Sequence, residues 1–254
     1  PITPILGLIV GEGWRLVHNA TKISEIIENT DKFITVSKTQ FNLIRSRLSE
    51  LSNPFSRKTV TIYNPINSEV KYVPPSFDKK VCLSCFCGDS YLKGFENLMA
   101  LFQRLSRLRR PKFCLNIIGR LKKKDETILN KDIHFFGQIM SENLIEAYRK
   151  TWMVLFMSLI DEPLPYTVAE AQLRGRPVLA TKVGGVDEEI AEPGLTGETV
   201  GYTVESFIEP VRRYSERVAE QPFSMSRKIS QKAKFFFNTR TEKAYKDFKD
   251  LLEK

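Results

Sequence analysis

The 254 residues are 42% hydrophobic and 27% charged, an ordinary globular balance that excludes a disordered or fibrous chain. The apolar run over residues 5–10 is broken by Gly7 and stopped at Gly11, far short of the roughly 20 residues of a membrane helix, and the start lacks the basic stretch of a secretory signal. A net charge of +9 favours anionic partners such as nucleotide phosphates, acidic lipid headgroups or nucleic acid, and fits a merely soluble basic surface equally well.

In chain order, residues 32–36 read as a strand, 38–51 as an amphipathic helix and 59–63 as a short strand. Asn64-Pro65-Ile66-Asn67 breaks the run, and a polar stretch with Pro74-Pro75 reads as a linker. Apolar strand-like runs then follow at 81–86, 113–118, 133–136, 153–157, 177–180 and 198–200. Helical patterns stand between them at 95–108, 142–150, 167–174 and 186–191. This alternation implies a doubly wound parallel α/β domain, Rossmann-like, whose ligands bind at the carboxyl ends of the strands. A last helical pattern over 226–254, interrupted around Phe237-Asn238-Thr239, is placed to pack across more than one domain. The expected organisation is therefore a partial α/β domain over 1–63, a linker over 64–78, the Rossmann-like domain over 79–225 and a helical segment over 226–254.

Cys82, Cys85, Cys87 and Cys114 lie in or near apolar runs with no second ligand pair at zinc-finger spacing. They are expected to be buried free thiols, which fit a reducing cytoplasmic setting. The basic clusters at Arg104, Arg107, Arg109, Arg110 and Lys112, at Arg120 and Lys122 to Lys124, and at Arg227 to Lys234 come with no aromatic RNA-binding signature or helix-turn-helix pattern. Nucleic acid is accordingly not an expected partner.

The most informative stretch runs from Asp161 to Ala171 and on through Gly175-Arg176-Pro177-Val178 to Gly184-Gly185. It places Glu162 in a loop and Glu170 near the first turn of a helix, at the sheet edge that follows strand 153–157. A helix N-terminus offers unpaired N–H groups and partial positive charge to a phosphate, and carboxylates beside it accept from sugar hydroxyls. A nucleotide-sugar site needs that combination. Taken singly, Glu162 is an ordinary loop acid, Lys93 a surface lysine, and Gly184-Gly185 a tight turn.

Val36-Ser37, Ile62-Tyr63-Asn64-Pro65-Ile66, Lys93-Gly94-Phe95, His134-Phe135-Phe136-Gly137-Gln138, Glu162 with Glu170-Ala171, Gly175-Arg176-Pro177-Val178 and Gly184-Gly185 occur together in one order. From residue 35 to about residue 200 this pattern resembles the C-terminal half of GT-B glycosyltransferases, specifically the large retaining group called family 4. The resemblance implies a GT-B fold and transfer of a hexose from a nucleotide-diphosphate sugar, UDP- or GDP-linked, to a hydroxyl of a glycan or lipid-linked acceptor. Lys93 would stabilise the departing diphosphate and Glu162 would bond donor-sugar hydroxyls, the two catalytic positions. Backbone groups at Leu164, Pro165, Tyr166 and Thr167 would hold the distal phosphate, Glu170 the ribose, and Gln138 and Ile139 the base, with Gly88 completing the donor-binding set. Retention would arise because the leaving diphosphate itself assists the incoming hydroxyl, so neither a bound metal nor a cofactor other than the donor is expected. A cytoplasmic protein resting on an acidic membrane face is the setting implied.

Two departures from the family pattern stand out. The arginine that usually precedes the lysine by five or six residues is replaced by Cys87 and Gly88, and much of the usual acceptor-holding N-terminal domain is absent, with Pro1 reading as a mature start or as the edge of a larger polypeptide. A non-catalytic or split subunit that binds the sugar nucleotide and needs a partner therefore remains the alternative. His18 fits a family histidine only at shortened spacing and reads first as structural. His134 is expected in the core or at the rim.

Overall fold

A computed structural model describes residues 20–66, 69–76, 80–120, 130–139 and 141–253. The chain divides into two units, one of residues 1–64 with 241–254 and one of residues 65–240. Among the described residues no helix is long and apolar enough to cross a membrane.

The first unit contains α1 (Ala20–Glu28), β1 (Phe33–Thr35), α2 (Lys38–Arg47), α3 (Ser52–Lys58) and β2 (Thr59–Thr61), with β1 and β2 parallel. Ile27, Phe33 and Phe55 form its buried centre, and the two phenyl rings lie 5.3 Å apart. Ser37 caps α2 by accepting from the Gln40 N–H at 3.1 Å. Lys58 donates from Nζ to the last carbonyls of α1, Ile27 at 2.8 Å and Glu28 at 2.9 Å, where a cation meets the negative end of the helix. The single helix expected over 38–51 is instead α2, a 3-10 turn at Ser49–Leu51 and α3. Ser49 takes a positive φ of 46°, and Pro54 in the first turn of α3 forbids a continuous helix because its ring would strike the carbonyl of Glu50.

The second unit is built on a six-stranded, wholly parallel sheet: β3 (Val81–Cys85), β4 (Phe113–Ile118), β5 (Ile133–Gly137), β6 (Met153–Phe156), β7 (Val178–Thr181) and β8 (Gly197–Val200). The spatial order is β5-β4-β3-β6-β7-β8. The chain runs outward from β3 in one direction and then restarts from β6 in the other, the strand order of a dinucleotide-binding Rossmann sheet with its switch point between β3 and β6. Strands β3, β4, β6 and β7 are buried along their whole length, so their sequences are mostly apolar, with Ser84, Asn116 and Thr181 as buried polar exceptions, whereas the edge strand β5 is largely exposed.

Both faces are covered. Leu98, Leu101, Phe102 and Leu105 of α4 (Phe95–Ser106) pack on Leu83, Met153, Leu155 and Leu179 together with Phe207, Val211 and Tyr214 of α7 (Val204–Glu220). On the opposite face Val154, Phe156, Val178 and Ala180 meet Tyr148 of α5 (Ser141–Lys150) and Val168 and Ala171 of α6 (Tyr166–Leu173). Helix α7 carries a buried stripe at Phe207, Val211, Tyr214 and Val218 and holds Pro210 inside it. The C-terminal helix α8 (Pro222–Leu252) runs without the interruption expected at Phe237-Asn238-Thr239. Phe237 is buried in the core against Ala169 and Leu173, and Thr239 turns its hydroxyl back to the Phe235 carbonyl at 3.0 Å, so tertiary packing outweighs the low helix propensity of this triplet. The helix expected over 186–191 is a single 3-10 turn, Val186–Glu189.

The cysteine expectation is corrected. Cys82 and Cys114 are direct partners in the β3/β4 register, their Cα atoms are 4.5 Å apart, and their sulfurs form a disulfide; only Cys85 and Cys87 are free, both buried. Strand pairing brings together two thiols that the sequence separates, and the argument from four free thiols to a reducing compartment no longer stands.

Candidate functional site

The carboxyl ends of β3, β6 and β7 lie side by side, and three loops leave them. After β3 the chain makes a 3-10 turn, Tyr91–Lys93, and enters α4 through Gly94 at φ 80°. A Cβ on Gly94 would collide with the Met157 carbonyl, so only glycine lets this turn lie against the segment that follows β6. The Leu92 carbonyl accepts from the Leu159 N–H at 2.9 Å and from Ser158 Oγ at 3.5 Å, which fixes the turn carrying Lys93 to that segment.

The loop after β6 carries Asp161 and Glu162, and it is held in turn by the loop after β7. The Gly185 N–H donates to the Glu162 carbonyl at 2.9 Å, the Gly184 N–H donates to Asp161 Oδ1 at 3.1 Å, and a Cβ on Gly184 would strike the Glu162 carbonyl. Glu162 Oε1 accepts from Ser158 Oγ at 3.3 Å and forms an ion pair with Lys93 Nζ. Lys93 is 39% exposed and Glu162 17%, so the pair is open to solvent on one side and backed by protein on the other. An ammonium and a carboxylate are thereby set together at the switch point.

Helix α6 begins beside them. Its N-cap, Pro165, supplies no side-chain cap, and beyond the Val168 N–H, which reaches the Pro165 carbonyl at 3.0 Å, the first turn presents the N–H groups of Tyr166 and Thr167. Pro165 itself has no N–H, so it contributes shape and not a donor. Leu164 and Pro165 are buried, while Tyr166 is exposed. Glu170 lies in the second turn of α6, not the first, and its Oε2 pairs with Arg174 Nη1 at 3.3 Å. The Arg174 guanidinium sits 4.9 Å from the centre of the Tyr148 ring, which stacks at 5.3 Å on Phe86 at the end of β3. This row of contacts leads from Glu170 back to the switch point. Burial pushes the Tyr148 hydroxyl well above its usual pKa, so it stays protonated.

The ends of β3, β4 and β5 are stitched by backbone. Gly88, at φ 55°, donates to the Ile118 carbonyl at 3.0 Å, the Asp89 N–H donates to the Arg120 carbonyl at 3.3 Å, and Gly119 donates to the Gly137 carbonyl at 2.8 Å. A Cβ at Gly88 would collide with the Arg120 carbonyl, so the position has no room for the arginine that the family pattern places there. Gln138 and Ile139 follow directly on β5, and His134 is exposed on that edge strand, at the rim. His18 lies outside the described residues. Among the described residues no group of three or more His, Cys, Asp or Glu side chains is placed to hold a metal ion.

Residues 78–235 match the sequence profile of the family Glycosyl transferases group 1. The chain belongs to this family. Similar folds in this group include sucrose-phosphate synthase from Thermosynechococcus elongatus, 20% identical at a TM-score of 0.71, with 92% of this chain and 60% of that one covered. Anabaena HepE in complex with UDP and glucose is 16% identical at a TM-score of 0.65, covering 87% of this chain and 63% of that one. A glycosyltransferase from Rickettsia africae is 20% identical at a TM-score of 0.66, covering 87% and 64%. At these identities the likeness shows a shared GT-B fold, and the chain spans less than two thirds of these three relatives. No curated protein matches it in sequence.

Two features of this group 1 chain escape sequence reasoning. Arg176, in the Gly-Arg-Pro-Val segment, is fully buried. Its Nε donates to the Tyr148 carbonyl at 2.9 Å, Nη2 to the Val73 carbonyl at 3.0 Å, and Nη1 to Ser226 Oγ at 3.0 Å and to the carbonyls of Arg174 and Gly175 at 3.1 and 3.3 Å. Burial lowers its pKa to about 10, and the carbonyl ends of α5 and α6 keep it charged. Glu189, also fully buried, pairs with Arg240 of α8 at 2.9 Å, and burial raises its pKa to about 7 despite the guanidinium. A buried arginine and a buried glutamate each read as surface residues in sequence. Proline directly after Arg176 and the apolar Ile190-Ala191 after Glu189 were the only signals.

Proposed function

We propose that this chain is a retaining glycosyltransferase that moves a hexose from a nucleotide-diphosphate sugar to a hydroxyl of a glycan or lipid-linked acceptor. The observation that carries the reading is the Lys93–Glu162 pair at the β3/β6 switch point, beside the uncapped N-terminus of α6. The donor's distal phosphate lies against the N–H groups of Tyr166 and Thr167, its sugar hydroxyls on Glu162, its ribose on Glu170 and its base on the backbone at Gln138 and Ile139. HepE, of the same fold, is described in complex with UDP-glucose, which makes UDP-sugars the first donors to test.

Without a donor, Lys93 and Glu162 satisfy one another. The bound diphosphate draws the ammonium toward itself and leaves Glu162 to accept from sugar hydroxyls. As the bond from the anomeric carbon to the phosphate oxygen breaks, negative charge gathers on the diphosphate, where the fixed ammonium and the helix N–H groups oppose it. The acceptor oxygen bonds to the same face of that carbon, and its proton passes to the departing diphosphate.

Calorimetric titration with UDP-, GDP- and ADP-sugars tests the proposal: one donor class binds, and Glu162→Gln weakens the sugar more than the free nucleotide. Absence of binding by all three donors overturns it. A second reading, a subunit that holds the sugar nucleotide without transferring it, is favoured by Gly88, a position with no room for an arginine side chain. Donor binding without turnover or donor hydrolysis selects that reading.

A further inference from the structure

Ser158, just beyond the end of β6, is 1% exposed, so its hydroxyl must find its partners within the protein. Its main chain is pinned by Thr181 at the end of β7, whose hydroxyl donates to the Ser158 carbonyl at 2.6 Å. From that fixed point Oγ faces three acceptors: Glu162 Oε1 at 3.3 Å, the Ile160 carbonyl at 3.3 Å and the Leu92 carbonyl at 3.5 Å. A hydroxyl has one proton to give, and hydrogen bonds between oxygens close to about 2.7–2.8 Å, so at these distances it is committed to none of the three. The Leu92 carbonyl does not depend on it, because the Leu159 N–H reaches that oxygen at 2.9 Å. Among the described residues only Lys93 and Ser158 donate to the Glu162 carboxylate.

We infer that Ser158 is a positioning residue for the donor sugar: its hydroxyl commits to Glu162 when Lys93 turns to the diphosphate, and it keeps the carboxylate aimed at the sugar hydroxyls. The inference rests on the donor site proposed above. When Lys93 leaves, Glu162 loses its one charged partner and becomes the strongest acceptor within reach of the buried hydroxyl, since a bond to an ionised acceptor is shorter and about twice as strong as one to a neutral carbonyl. A carboxylate tied to a hydroxyl that β7 itself holds in place gives up less rotamer freedom when the sugar docks. The nucleotide, held under the same reading at Glu170, Gln138 and Ile139, gains nothing from this contact.

Calorimetry with UDP-glucose and with UDP, or with the matching GDP or ADP pair where that class binds, reads the effect as the ratio of the two dissociation constants. Ser158→Ala is expected to weaken the sugar nucleotide on the order of tenfold and to leave the free nucleotide at its wild-type affinity. Added to Glu162→Ala, the same substitution is expected to change the ratio no further, because its partner is gone; a merely structural role weakens both ligands alike in either background. Should Ser158→Ala not fold, Ser158→Cys keeps the shape with only a weak donor and carries the same expectation. Wild-type binding with an unchanged ratio in the serine variant, or an equal loss in the Glu162→Ala background, overturns this inference and leaves the donor site standing. No binding of any pair by the wild type overturns both.

Discussion

Lys93 and Glu162, 69 residues apart in sequence, form an ion pair at the ends of the two central strands of the sheet. Neither side chain is placed by its own helix or strand. Lys93 is set by Gly94 and the Leu92 carbonyl, and Glu162 by Gly184 and Gly185, so backbone contacts of four neighbours fix the geometry of the pair.

Lys93→Ala is expected to lower kcat by about a hundredfold through loss of the cation opposite the leaving diphosphate, with a much smaller change in donor affinity. Steady-state kinetics on the donor that calorimetry identifies separates the two effects. An increase in KM at constant kcat would show that Lys93 only binds.

Ala at Gly94 or at Gly184 inserts a methyl group where the Met157 or Glu162 carbonyl already stands, at φ 80° and 49°. Each variant is expected to lose more than about 1 kcal/mol of stability and to lose activity with it, since the loop must shift. Urea unfolding and turnover measured on the same preparation check this. Wild-type values for both would contradict the packing described.

Arg176→Lys keeps a charge but offers three donors in place of five, and a point-like ammonium lacks the planar fork that serves Tyr148, Val73 and Ser226 from three separate nitrogens. Each buried acceptor left unpaired costs about 1–3 kcal/mol, so the variant is expected to be destabilised by about 3 kcal/mol or more. Chemical denaturation reads this directly.

Glu189 has a pKa of about 7 in the fold against an ordinary 4.5. Between these values the folded state holds a proton that the unfolded state has released, so the contribution of Glu189 to stability falls as pH rises from about 4.5 to about 7 and is flat on either side. Glu189→Gln lacks this dependence. The difference in urea midpoint between wild type and variant, followed across pH 4 to 8, is therefore expected to move in the variant's favour over that window; a constant difference would refute the burial argument.

Thiol titration in denaturant without reductant should find Cys85 and Cys87 alone, and all four cysteines after reduction. Four reactive thiols before reduction would remove the Cys82–Cys114 bond.

Strands β3, β4, β6 and β7 were legible because burial on both faces leaves mostly apolar runs such as Phe113–Ile118 and Val178–Thr181. Helix α7 was not, since Pro210 reads as a breaker although Phe207, Val211, Tyr214 and Val218 keep a helical period around it. The disulfide required the β3/β4 register, which no local pattern encodes. Within the candidate site, spacing pointed to Lys93, Glu162 and Glu170 individually. That Lys93 meets Glu162 while Glu170 turns to Arg174 depends on where loops from non-adjacent parts of the sequence come to rest, and only the folded chain supplies that.

The reversal of strand order between β3 and β6 has a consequence for how this protein can change. Helices leaving the two central strands depart to opposite sides of the sheet, so the cleft between them is made by the path of the chain and not by the size of any side chain. Under the proposed function, evolution or engineering at Glu162, Gln138 or Glu170 therefore alters which molecule is held, while its address in the molecule stays put.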